Sequence, residues 1–290
     1  MSPLKTKSLW FGLASFCSQL VFLVLRYGLR YRYQTIYNNL SRAFPTKKTS
    51  EIVRLLESYY RHLSDLCVEP FLFAVASSHL RTQLARFTNI QLLHRLHQAN
   101  KSVILLATHY GNWEYLIQLP SYSPYPVYTA YSPPHKPWVN RLLLRLRKRF
   151  GIQLIPQQSF YRQMLARINQ VAEPALMVLI ADQRPGPASL KHQLLFLQQP
   201  TYVQLGAERL AQQLNAAVVF VDCVKISRFC YEYRLKGVNL PVNEVMPSLT
   251  QCYFQHLEAQ IHRSPAYWLW SHDRWKSSVK SPSPSQPVEV

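Results

Sequence analysis

The chain has 290 residues, enough for one large domain with a substantial core, and 48% apolar with 13% aromatic residues exclude a wholly disordered polypeptide. Thirty-three Lys and Arg against 14 Asp and Glu leave a formal charge of +19, so the expected partners are acidic: nucleic acid, anionic lipid or an acidic carrier protein. The five cysteines, Cys17, Cys67, Cys223, Cys230 and Cys252, are odd in number and form no CxxC pair; they indicate neither a disulfide framework nor a zinc site and fit reduced thiols facing the cytosol.

Between Lys7 and Arg26 lie eighteen uncharged residues, Ser8 to Leu25. A helix of that length nearly matches the hydrocarbon core of a bilayer, and no small-residue cleavage site precedes Arg26, Arg30 and Arg32. Residues 1–26 therefore read as an uncleaved membrane anchor, spanning the bilayer or lying in its interface, with a buried core helix as the alternative. Positive charge is heavier after the segment than before it, which places the body of the protein in the cytoplasm. Thr49, Ser50 and Glu51 mark a helix start, and Ile52, Leu56, Tyr59, Leu63 and Leu66 then recur at helical spacing. Four short apolar runs follow, Val103–Ala107, Val127–Tyr131, Ala175–Ala181 and Ala216–Val224, of the kind buried parallel strands make. Helical patterns at Trp138–Phe150 and Val203–Leu214 separate them, and Leu249, Tyr253, Leu257 and Ile261 line a last helix. The pattern predicts an α/β fold: a central mixed, mostly parallel sheet flanked by helices, behind an N-terminal hydrophobic membrane-anchor helix. Residues 27–276 form the main domain in this reading, and the low-complexity 277–290 a disordered tail.

From Pro70 to Ala172 there are twelve basic residues and a single acid, Glu114, five positions after His109 in ATHYGNWEYL. That segment directly follows the first buried strand, and sites in open α/β sheets assemble at the carboxyl ends of strands. On one continuous helix five residues turn about 500°, leaving the two side chains roughly 140° apart. With His109 ending the strand, Gly111 and Asn112 turning the chain and Glu114 in the first helical turn, the carboxylate can instead fold back onto the imidazole and make His109 a general base. The bland alternative is a loop His and Glu bonded only to backbone.

In Trp138–Phe150, Arg141 and Arg145 lie four apart beside Leu142, Leu143 and Leu146, followed by Arg147 and Arg149. This is either a solvated basic face or a phosphate clamp, with membrane-surface docking as a variant. Asp182 and Gln183 end the strand ALMVLIAD; the aspartate caps the turn, pairs Arg184, or contributes to binding. The chain has no GxGxxG, GxxxxGK[ST] or GxSxG, which argues against nucleotide loops and nucleophile-elbow hydrolases and for direct attack by an acceptor hydroxyl. His262 and His272 have no partner set at metal spacing, so neither a metal nor another cofactor is expected.

HYGNWE resembles the H-x4-D/E motif of the lipid A biosynthesis acyltransferases, the lauroyl and myristoyl transferase branch of the lysophospholipid acyltransferase superfamily. NNLSRAFPTKKTSEIVRLLESYYRHLSDLCVE, RKRFGIQLI, ADQ, AERLAQQLNAAVVFVDCVK and WLWSHDRWK are similar to further blocks of that family, in order, over roughly residues 8–276. The chain departs from it in LLFLQQPTYVQLGAERLA, which lacks the usual glycine after phenylalanine, and at Asp273, where a basic residue is common.

The resemblance implies His109 as general base and Glu114 as its catalytic partner. Tyr110, Gly111, Asn112, Trp113, Arg147, Arg149, Asp182 and Gln183 are then expected at the substrate. It implies an acyl-acyl carrier protein (or acyl-CoA) donor and an anionic glycolipid acceptor, a hydroxyl of a lipid A precursor, in lipopolysaccharide biosynthesis. Another lipid acceptor, such as a lysophospholipid, an aminolipid or a glycosylated phosphatidylinositol, is the close alternative. A nucleic-acid partner fits the charge but not the apolar N-terminus, and no binding motif supports it. A catalytically silent scaffold is disfavoured because both His109 and Glu114 are present.

Overall fold

The computed structural model describes residues 3–132, 137–171, 173–186, 190–238 and 248–276; the expected disordered tail lies outside them. The N-terminal third is helical: α1 (Pro3–Leu23), running on through a π-helical turn Val24–Gly28, then α2 (Tyr33–Ala43), α3 (Thr49–Val75) and α4 (Ser78–Leu84). Strand β1 (Ala85–Thr88) and α5 (Gln91–Gln98) lead into β2 (Val103–Ala107), the 3-10 helix Trp113–Ser121, β3 (Val127–Tyr131), α6 (Pro137–Arg149), β4 (Gln153–Pro156), α7 (Gln157–Val171) and β5 (Leu176–Ile180). A hairpin, β6 (His192–Phe196) and β7 (Gln199–Val203), precedes α8 (Gly206–Gln213), β8 (Ala217–Ser227), β9 (Cys230–Val238), α9 (Ser248–Arg263) and the 3-10 turn Pro265–Tyr267.

Seven strands form one sheet in the order β1-β9-β8-β2-β5-β3-β4. Only the β8–β9 pairing is antiparallel, so the sheet is mixed and mostly parallel, as the alternating apolar runs predict. All five residues of β2 are buried, because helices cover both faces and β5 and β8 flank its edges. Residue alternation along β8 shows the two layers: Phe220 and Asp222 meet Tyr253 and Arg263 of α9, while Cys223 and Lys225 meet Gly111 and Asp65 on the α3 side.

The four apolar runs are strands at close to their expected limits, and α3 begins at Thr49 with Glu51 accepting from the Lys48 amide at 2.9 Å. The helix expected over Val203–Leu214 starts later, at Gly206, because Val203 completes the β6–β7 hairpin. The strands β1, β4 and β9 go beyond the sequence reading: β9, CYEYRLKGV, carries charged residues among its tyrosines and so makes no apolar run.

The segment expected as an anchor is one helical stretch packed along α3. The boundary expected after residue 26 falls inside its π-helical turn.

Candidate active site

The loops leaving the carboxyl ends of β2 and β5, adjacent parallel strands, bring His109 and Asp182 together. The Asp182 carboxylate accepts from the His109 ring Nδ1 at 2.5 Å through Oδ1 and from the His109 amide at 2.9 Å through Oδ2. Oδ2 also accepts from Trp268 Nε1 at 2.8 Å. Burial pushes the Asp182 carboxyl up, but the imidazole charge and these donors outweigh it and hold the group below its ordinary range. A carboxylate there favours a proton on Nδ1, which in the neutral tautomer leaves the lone pair on Nε2. That nitrogen faces a cleft, with Gln183 Nε2 3.2 Å away and the Trp113 ring edge-on to the imidazole at 4.8 Å.

Glu114 does not meet His109. Both its oxygens accept from Arg147 Nη2, at 2.9 and 3.1 Å, and Arg147 lies over the Tyr131 ring at 5.6 Å. The expected His109–Glu114 contact is thus replaced by two separate pairs on one cleft, His109–Asp182 and Glu114–Arg147. The physical reason is the turn between the two residues. Asn112 caps the 3-10 helix by accepting from the Glu114 amide at 2.9 Å, and this starts the helix in an orientation that aims Glu114 at α6.

Tyr110, Gly111 and Asn112 support the turn from behind the cleft. Tyr110 is buried, pairs as an isolated bridge with Trp268 and donates to the Ser264 carbonyl at 3.1 Å. Gly111 has φ +66°, and a Cβ there would stand 2.5 Å from Cys223 Sγ. Asn112 donates to Glu69 Oε2 at 2.6 Å, its carbonyl accepts from Tyr233, and Tyr231 donates to Glu69 Oε1 at 2.8 Å. Burial above all raises the Glu69 carboxyl to about 7.

These three residues, expected at the substrate from their motif position, are not among the residues lining the cleft. Trp113, Arg147 and Gln183 line the cleft. Arg149 does not line it; it is exposed at the end of α6. Arg141 and Arg145 are also exposed, while the leucines beside them lie outside the described side chains.

The cleft encloses about 650 Å³. Polar groups line it, His109, Glu114, Arg147, Gln157, Gln183 and Arg184 among them, together with apolar ones such as Leu116, Ile117, Phe160, Ile180 and Leu210. A space of this size and character takes a flexible apolar chain with a polar end. No cysteine lines it, and Cys223 is buried behind Gly111 with its thiol pushed up by burial. Among the described residues no group of His, Cys, Asp and Glu could hold a metal ion.

The Trp-Leu-Trp block, not assigned a role from sequence beyond the family likeness, braces the His109 segment and Asp182. Leu269 donates to the His109 carbonyl at 3.1 Å, and Gly111 donates to the Tyr267 carbonyl at 2.9 Å. Trp268 and Glu69 are the supporting residues that sequence reading missed. An acid in an otherwise apolar stretch of α3 was the one available signal for Glu69.

The family model described as bacterial lipid A biosynthesis acyltransferase matches residues 11–277. No curated protein matches the chain.

Proposed function

Because this chain belongs to the bacterial lipid A biosynthesis acyltransferase family, we propose that it moves a fatty acyl chain from an acyl-acyl carrier protein thioester to a hydroxyl of a lipid A precursor, with His109 as the base. The observation that carries the reading is the His109–Asp182 pair on a cleft whose lining also includes Leu116, Ile117, Phe160 and Leu210. His109 Nε2 takes the acceptor's hydroxyl proton as the oxygen attacks the thioester carbonyl. The tetrahedral intermediate then collapses, the C–S bond breaks, and the imidazolium returns its proton to the departing thiolate. Asp182 keeps the productive tautomer and stabilises the imidazolium. Glu114 acts by holding Arg147, whose guanidinium meets an anionic group of donor or acceptor at the cleft mouth. The acyl chain lies along Leu116, Ile117, Phe160 and Leu210. The body works on the cytoplasmic side of the inner membrane, where thioester donors are made.

The test is mass spectrometry of lipid A from cells with and without the gene, complemented by wild type and by His109→Ala. Loss of one secondary acyl chain, restored by wild type alone, is the expected result and names the chain length. An unchanged lipid A with another acylated lipid lost would move the same chemistry to a different acceptor. Restoration by His109→Ala would remove His109 as the base.

A further inference from the structure

Helix α1 carries apolar residues on every side, so its sequence does not reveal which face meets what. The structure divides it. Ala14, Ser18 and Phe22 are buried against the body, whereas Leu9, Leu13, Phe16 and Leu20 are 62%, 51%, 63% and 48% exposed. At about 100° per residue these exposed positions centre roughly 180° from Ser18. The inward face is not greasy packing alone. Arg26 donates to Glu57 at 2.5 Å, the Arg61 guanidinium lies over the Phe22 ring at 4.5 Å, and Ser18 donates to Asp65 at 2.8 Å. Each step moves four residues back along α1 and four forward along α3, an antiparallel register of one turn per contact. Asp65 is further held by Lys225 at 3.0 Å and Arg228 at 3.0 Å, and Phe11 packs edge-on against Phe229.

A bilayer-spanning α1 would carry Glu57, Arg61, Asp65, Lys225 and Arg228 to hydrocarbon depth with it. We propose that α1 does not cross the membrane but lies in the plane of an anionic bilayer, its outer apolar face among the acyl chains, with the groove beside Arg61 and Arg228 taking lipid phosphate. That groove, about 280 Å³, is lined by Ser18, Gln19, Phe22, Arg61, Asp65 and Arg228. Asp65 is its single carboxylate and is already shared by two cations, so the groove is positive, and Arg61 and Arg228 are exposed at it. Arg30 and Arg32, exposed just beyond the helix, extend the same sign. The inference stands apart from the chemistry at His109.

Topology decides the first half. The full chain is tagged at either end and expressed in cells, and protease is added to spheroplasts. An in-plane helix leaves both tags on one side of the membrane; tags on opposite sides would overturn the proposal. Sedimentation of the full-length protein with phosphatidylglycerol/phosphatidylethanolamine vesicles decides the second. Leu13→Ser with Phe16→Ser and Leu20→Ser lowers binding to these and to neutral vesicles at least tenfold. Arg61→Gln with Arg228→Gln lowers only binding to the anionic vesicles, several-fold, and millimolar inorganic phosphate leaves wild-type binding in place. Undiminished binding of the leucine and phenylalanine variant would overturn the apolar docking. Undiminished binding of the arginine variant, or full competition by phosphate, would overturn the headgroup site.

Discussion

Asp182 holds His109 twice, one carboxylate oxygen on the ring Nδ1 at 2.5 Å and the other on the backbone amide at 2.9 Å. The ring is therefore fixed in both tautomer and position by one side chain from the neighbouring strand. Asp182→Asn keeps the shape but offers Nδ1 an oxygen or an NH2 in place of a charge. We expect kcat to fall about 10²- to 10⁴-fold, as for loss of general-base catalysis, with circular dichroism and melting temperature showing a folded protein. Near-wild-type turnover of this variant in an acyl-transfer assay would detach the pair from the reaction.

The Glu114–Arg147 pair makes a different prediction. If Glu114 works only by holding Arg147, then Glu114→Ala, Arg147→Ala and the double variant lose similar amounts of kcat/KM. Glu114→Ala combined with Asp182→Asn, by contrast, adds the two losses. A double-mutant cycle in steady-state kinetics reads this directly. Additivity between Glu114 and Arg147 would mean that the carboxylate has work of its own.

Gly111 tests the framework behind the site. Alanine there meets both a left-handed backbone and a Cβ 2.5 Å from Cys223 Sγ. The expected cost is about 2–5 kcal/mol, combining backbone strain with overpacking. Cys223→Ala placed on top of Gly111→Ala returns the overpacking part in urea unfolding and leaves the backbone part. No recovery in the double variant would show that the strain lies elsewhere.

Glu69 gives a pH signature. Its carboxyl is raised from 4.5 to about 7, by burial first and then by Asp65, against Lys225, Tyr231 and Asn112, which favour the charged form. Between those two values the folded state holds the proton more often than the unfolded chain does. The group's contribution to stability therefore falls as pH rises from about 4.5 through about 7, by at most on the order of 3 kcal/mol, and is flat above. Glu69→Gln removes that slope. The difference in urea midpoint between wild type and variant is expected to shift against wild type from pH 5 to pH 8, and a pH-independent difference would refute the assignment.

Much of this protein is written in local pattern. The runs VILLA and VYTAY are β2 and β3 because apolar, β-branched and aromatic residues without charge bury on both faces of a sheet, and that requirement is visible residue by residue. The start of α3 at Thr49, the placing of His109 and Asp182 at strand ends, and the family likeness follow from residue order alone. Which carboxylate meets His109 does not. Glu114 is five residues away and Asp182 seventy-three, yet adjacent parallel strands put Asp182 at the imidazole, while an asparagine cap turns Glu114 toward Arg147. The same holds for α1, whose largely apolar, uncharged stretch from Ser8 on carries no period to separate its faces. Only packing against Glu57, Arg61 and Asp65 of α3 decides which side is left exposed, because that choice depends on partners some forty residues away in the chain.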